Sequence, residues 1–216
     1  MSSQSLIADN LVVIRKRLKG TGLIAVSKGH TEKDVREALA AGQRVFGENR
    51  VQEAQEKFLS LRHDYPDIEL HMIGPLQSNK TEAAVQLFDV IQTLDRLSLA
   101  EALAKAIRKT GKHPRLYIEI NIGNEKQKAG IAPDQLDDFF ATCKKLKLEI
   151  SGLMCIPPQH EDPRPYFMKM RDLQKRLGLK HLSMGMSSDF ETALACGATE
   201  VRVGTVIFGK REVIKG

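Results

Sequence analysis

Gly22-Leu-Ile-Ala-Val-Ser-Lys-Gly-His30 settles the architecture. The run Leu23 to Val26 is apolar throughout, so the strand it forms has both faces covered, as in a parallel sheet. Its end separates the two folds built on such strands. An open doubly wound sheet that binds nucleotides carries a G-x-G-x-x-G first turn. Here the turn reads Ser27-Lys28-Gly29-His30, with one glycine. A closed barrel needs no such turn, and it places whatever follows a strand at its mouth.

Seven further β-rich runs follow: Arg44–Gly47, Leu70–Ile73, Val90–Thr93, Leu116–Ile122, Ile150–Ile156, His181–Met186 and Val201–Val203. Between them lie stripes at helical spacing, such as Val51, Ala54, Phe58 and Leu61, or Tyr166, Phe167, Met170, Leu173 and Leu177. Thr31, Ser98 with Glu101, Pro133 and Ser188-Asp189 read as helix starts. Gly42, Gly111, Gly178 and Gly197 fall where helices stop. An amphipathic helix carrying Leu6, Ile7, Leu11, Ile14 and Leu18 precedes the first strand, placed to cap the bottom of a barrel. Eight strands, each followed by a helix, predict an α/β fold: a single (β/α)8 TIM barrel with an extra N-terminal helix, residues 1–216 forming one domain. An open doubly wound sheet is the rival, but it has fewer strands at this length.

Such a barrel needs roughly 200 residues or more. The 216 residues therefore hold one with no room for a second domain. The net charge of +6 comes from basic residues interleaved with acids, as in Glu32-Lys33-Asp34. That pattern, with three Tyr and no Trp, argues against a nucleic-acid partner. No stretch approaches the roughly 20 apolar residues of a membrane span. Met1 to Asn10 lacks the pattern of a signal peptide. Cys143, Cys155 and Cys196 share no close spacing, so a reducing cytoplasm is the expected compartment.

Two strand-ends are chemically pointed. Lys28 follows a buried strand, and a partly desolvated lysine amine can attack a carbonyl. A lysine snorkelling to solvent is the plain alternative. Ser187-Ser188-Asp189 and Gly204-Thr205 follow the last two strands, where barrels often hold a phosphate with loops and a short helix N-terminus. Ordinary capping and an ordinary turn are the alternatives there. Strands 1 and 8 are neighbours in a closed barrel. An amine and a phosphate cradle then lie one small ligand apart, and a ligand with an aldehyde at one end and a phosphate at the other is pyridoxal 5′-phosphate. Arg202 alternates with Val201 and Val203 and so points into the barrel. A buried cation needs an acceptor. A pyridine nitrogen would serve, as would a salt bridge to Glu119.

Six ordered segments carry a resemblance: Ala25-Val-Ser-Lys28, Phe46-Gly-Glu-Asn-Arg-Val-Gln-Glu53, His71-Met-Ile-Gly-Pro-Leu-Gln-Ser-Asn-Lys80, Gly152-Leu-Met-Cys-Ile-Pro157, Leu182-Ser-Met-Gly-Met-Ser-Ser-Asp189 and Val201-Arg-Val-Gly-Thr-Val-Ile-Phe-Gly209. Together, from about Gly22 to Gly209, the chain resembles the pyridoxal phosphate homeostasis protein family, itself similar to the N-terminal barrel of alanine racemase. The resemblance implies that Lys28 carries the cofactor as a Schiff base and that Ser187, Ser188, Gly204 and Thr205 contact its phosphate. It implies that Arg202 faces the ring nitrogen and that Asn49, His71 and Met184 line the pocket. His71 and Met184 read equally as core residues, and Asn49 as a helix cap. One departure is local: Gly29-His30 stands where many relatives have Thr and Lys. Lys126 and Lys128, after the fifth strand, fit the family pattern and read as a solvated loop or a cofactor-exchange element.

The implied function is storage, buffering or delivery of pyridoxal phosphate, with apo-enzymes as recipients and a monomer as the state. The family is generally regarded as lacking robust turnover. The alternative is a pyridoxal-phosphate-dependent racemase or decarboxylase, whose second base would have to be His71 or Cys155. A Schiff-base aldolase using Lys28 without a cofactor is a third reading. No metal is implied.

Overall fold

The structure, a computed structural model, describes residues 6–209. Eight parallel strands pair in chain order: β1 (Gly22–Val26), β2 (Val45–Glu48), β3 (Glu69–Met72), β4 (Val90–Leu94), β5 (Arg115–Ile120), β6 (Ile150–Cys155), β7 (His181–Ser183) and β8 (Glu200–Val203). The barrel closes where Ile24 of β1 lies beside Arg202 of β8. Around it run α1 (Leu6–Leu18), α2 (Glu32–Ala40), α3 (Val51–Asp64), α4 (Thr81–Leu87), α5 (Leu97–Thr110), α6 (Leu136–Lys145), α7 (Arg164–Arg176), α8 (Phe190–Ala195) and α9 (Thr205–Phe208). The (β/α)8 barrel expected from the alternating periods is the fold.

The strands divide their residues by alternation. Leu23, Ala25, Phe46, Leu70, Met72, Leu153, Val201 and Val203 join one large apolar layer with the helices. The other face of each strand points inward. Hydrogen bonds between strands that are not neighbours mark it: Ser183 of β7 reaches Gln92 of β4, and Tyr117 of β5 reaches Glu200 of β8. A small apolar cluster of Val90, Tyr117 and Met154 sits inside the barrel. The remaining interior is largely polar, which is unusual for a barrel filled by branched aliphatic layers.

The N-terminal helix is present, but it does not cap the bottom. It packs in the outer ring against α2, α8 and α9, and Asn10 Nδ2 donates to the Ile207 carbonyl at 2.9 Å. The reason is length. α8 has six residues and α9 four, too few to cover the β8–β1 side, so α1 covers it with Ile7, Leu11, Ile14 and Leu18. Each such burial stabilises by roughly 1.5–3 kcal/mol relative to exposure. Leu6, also expected on that stripe, stays exposed.

Local signals were realised unevenly. Thr31 caps α2 in a reciprocal box whose partner is Asp34. Gly111 ends α5 in the left-handed conformation. Ser98, in contrast, lies inside α5, which starts at Leu97. Pro133 sits in a turn before α6 rather than in its first turn. The seventh strand ends at Ser183, not Met186, because Gly185 adopts φ +92°. Extended backbone stops there, and a Cβ at Gly185 would lie 2.5 Å from that of Ala193.

Candidate cofactor site

The turn after β1 is pinned from outside. Lys28 lies two residues past the end of β1, in the turn that follows it, and is half-buried. Its neighbours are tied to the end of β2 and to α3. Ser27 Oγ donates to Glu48 at 2.7 Å, and the Gly29 amide donates to Glu53 at 2.6 Å. The ammonium of Lys57 lies 2.6 Å from Glu48 and 2.9 Å from Glu53, and it donates to the Ser27 carbonyl at 2.8 Å. Burial pushes the Glu48 carboxyl up, against the opposing pull of Lys57 and Ser27. At Glu53 burial pushes upward too, but the Gly29 amide and Lys57 outweigh it and hold the carboxyl below its ordinary range. Gly29 itself takes φ +71°, a conformation glycine adopts without strain.

Across the β8–β1 seam lies α9. Gly204 precedes it with no side-chain cap, and Thr205 opens it exposed at the surface. The first amides of such a helix are available to an anion. A Cβ at Gly204 would meet the Val26 carbonyl at 3.1 Å, so the absence of a side chain lets this loop approach the end of β1. The ring of His30 stacks on Phe208 with centroids 4.8 Å apart, fastening the Lys28 turn to α9. The turn after β7 completes the rim. Ser187 is half-buried and Ser188 exposed, while Asp189 accepts the Met186 amide at 2.6 Å. The Arg202 amide donates to the Gly185 carbonyl at 3.0 Å, joining this turn to β8.

Arg202 is buried inside the barrel. No ion pair links it to Glu119. Its Nη1 donates to Ser183 Oγ at 2.7 Å and its Nη2 to the Cys155 carbonyl at 2.8 Å. Burial lowers its proton affinity, opposed by surrounding anionic groups, yet a guanidinium stays charged. Glu119 lies nearby on β5. Burial first, then Asp95, raises its carboxyl to about 7, with Arg202 opposing.

The remaining expected residues divide. Asn49 follows β2, half-buried, and Gly74 packs so closely that an added Cβ would lie 2.6 Å from its Cα. Asn49 also helps line a cavity of about 860 Å³ with Arg50, Gln77 and Lys80. His71 lies deeper, 1% exposed, with Nε2 on Glu69 at 2.6 Å and Nδ1 facing Gln92 at 2.8 Å. Met184 is fully buried in the outer apolar layer, as packing rather than as mouth lining. Lys128 pairs with Glu125 and donates to the Pro157 carbonyl at 3.0 Å, while Lys126 is exposed.

Sequence reasoning missed Glu48, Glu53 and Lys57, and the interior set Gln92, Tyr117, Ser183 and Glu200. The signals were present. Glu53 and Lys57 are four apart on one helix, and Gln92 is a polar residue in an apolar run.

The model of the alanine racemase N-terminal domain matches residues 3–212. A pyridoxal phosphate homeostasis protein of Aquifex aeolicus is 41% identical over 200 residues, 88% of this chain and 87% of that protein. The chain belongs to that family. Another pyridoxal phosphate homeostasis protein, from Pseudomonas aeruginosa, is 40% identical over 96% of this chain and 97% of its own. PipY of Synechococcus elongatus, solved with pyridoxal phosphate bound, superposes with a TM-score of 0.85 at 41% identity, covering 94% of this chain and 100% of PipY. The alanine racemase of Clostridium difficile shares the barrel alone, at 18% identity and a TM-score of 0.73 over 56% of its length.

Proposed function

We propose that this chain holds pyridoxal 5′-phosphate covalently through Lys28 and serves its homeostasis by storing, buffering or delivering it. The carrying observation is the seam between β8 and β1. There a half-buried lysine follows β1, an uncapped helix start follows β8 behind a side-chain-free Gly204, and a buried arginine lies beside Ile24 on the same pair of strands. The donor set fits the group: an amine for an aldehyde, main-chain amides and Ser187 for a phosphate, a guanidinium for a ring nitrogen. Membership of the homeostasis family and the cofactor in PipY support the same reading. When bound, the cofactor supplies an aldehyde that condenses with an amine.

The residues then have distinct tasks. Lys28 anchors. Ser187, Ser188, Gly204 and Thr205 bind the phosphate, which favours the positive end of α9. Arg202 cannot give up its proton, so it keeps the ring nitrogen unprotonated and weakens any electron sink. Asn49 borders the mouth beside the turn. The proposal extends to a cytoplasmic monomer that hands the cofactor to apo-enzymes.

A racemase or decarboxylase reading needs a second proton-transfer group. Cys155 faces the outer layer, and burial pushes its thiol up to about 12. His71 has both nitrogens engaged below the mouth. Neither is placed for that task, which favours holding over turnover.

The deciding experiment adds pyridoxal phosphate to the protein, reduces with borohydride and identifies the labelled peptide. A label on Lys28 that disappears in Lys28→Ala is the expected result. A label that survives on another lysine overturns the proposal.

A further inference from the structure

The ammonium of Lys57 has no part in the roles assigned so far, yet it holds most of the turn that carries Lys28. Its side chain is 10% exposed, and that of Glu48 is fully buried. It contacts the carbonyls of Ser27 and, at 3.4 Å, His30, on either side of Lys28. Through Glu53 it braces the carboxylate that accepts the Gly29 amide. Residues 27, 29 and 30, which flank Lys28 on both sides, are thus tied to one turn of α3.

Stability is a weak reason for such a cluster. A buried ion pair is often matched by well-packed apolar residues of similar volume. This one also leaves Glu48 Oε2 without a hydrogen-bond partner, a cost that calls for an explanation. A positional demand supplies one. Three donors on a single ammonium reach two carbonyls and the Glu53 carboxylate while its charge pairs with Glu48, which an apolar side chain cannot do.

We infer that Lys57, braced by Glu48 and Glu53, is a positioning residue that fixes the direction in which Lys28 meets the cofactor aldehyde. This rests on the assignment of Lys28 made above. Lys57 acts through the backbone of the turn and touches no cofactor. Its removal slows attachment at Lys28 and leaves the phosphate cradle and Arg202 intact.

The test compares two ligands on the full chain. Pyridoxal 5′-phosphate needs Lys28; pyridoxine 5′-phosphate carries an alcohol in place of the aldehyde and needs only the cradle and ring contacts. Lys57→Met is expected to slow growth of the visible band with pyridoxal phosphate by about tenfold or more, the scale set by small misplacements of reacting groups. Affinity for pyridoxine phosphate stays unchanged, the Gly29 amide exchanges faster in the protein without ligand, and Lys57→Arg recovers part of the rate. If Lys57→Met does not fold, Glu53→Gln carries the test, with attachment about threefold slower for one weakened hydrogen bond. Unchanged attachment in a folded variant overturns the inference, and so does an equal loss of both ligands. A borohydride label away from Lys28 in the unsubstituted protein overturns the underlying assignment, and this inference with it.

Discussion

Arg202 and Ser183 share a hydrogen bond of 2.7 Å inside the barrel, and its direction is fixed. Arginine can only donate. Ser183 therefore accepts from it and spends its own proton on Gln92 Oε1 at 2.7 Å. The Gln92 amide group then faces His71 Nδ1, which accepts, and His71 Nε2 donates to Glu69. One orientation at Arg202 thus sets every donor along a line running toward the bottom of the barrel.

Ser183→Ala removes the acceptor from Arg202 and the donor from Gln92 together. The expected cost is about 1–3 kcal/mol of unfolding free energy, the penalty for buried groups left unsatisfied. The absorbance maximum of bound pyridoxal phosphate shifts as the guanidinium turns. Equilibrium denaturation and a visible spectrum check both. An unshifted band would show that Arg202 holds its place without the hydroxyl.

Glu119 imposes a pH dependence on the ligand-free protein. Its folded-state value of about 7 lies above the ordinary carboxylate range. Between roughly pH 4.5 and 7 the folded state keeps a proton that the unfolded chain has released, so stability falls as pH rises through that window and is flat above it. Glu119→Gln lacks this fall. Relative to pH 4.5, the variant gains up to about 3 kcal/mol over the parent at pH 8. Urea midpoints at the two pH values measure it, and parallel profiles would contradict it.

Gly185→Ala meets two obstacles. The residue sits at φ +92°, and the new methyl would lie 2.5 Å from the Ala193 Cβ and 3.0 Å from the Phe190 Cα. Strain and overpacking together destabilise by about 2–3 kcal/mol. A chemical denaturation midpoint equal to that of the parent would show that α8 can retreat at little cost.

Ser187→Ala tests the cradle. Losing one hydrogen bond to a charged phosphate weakens pyridoxal phosphate binding by about tenfold or more. Affinity for pyridoxal, which has no phosphate, is unchanged. Titration with both ligands decides, and equal losses would remove Ser187 from the phosphate site.

The strands were legible because several, Leu23 to Val26 above all, are short apolar runs and all eight alternate with helical stripes, and closure in chain order follows from eight of them. Lys28, Gly204 and Arg202 were legible because they fall at strand ends or inward positions, which alternation identifies. The polar interior was not. Gln92, Tyr117 and Glu200 are single residues on separate strands, and their partners lie across a barrel whose shear no local pattern states. The placement of α1 was missed for a related reason: the sequence shows an apolar stripe but not the shortness of α8 and α9 that invites it. Glu48 escaped because it faces the helices, where an acid is not expected until Lys57 is found beside it.

The side that α1 covers joins residues nearly two hundred apart, as the contact between Asn10 and Ile207 shows. Lys28 is made well over a hundred residues before Arg202 and Gly204. No intermediate length of the growing chain can assemble both halves of the mouth. Loop-closure entropy makes pairing over such a sequence separation costly and slow. If Lys28 and the β8 end hold the cofactor as proposed, its capture reports a closed barrel, and a copy lacking β8 would leave the vitamin free for other claimants.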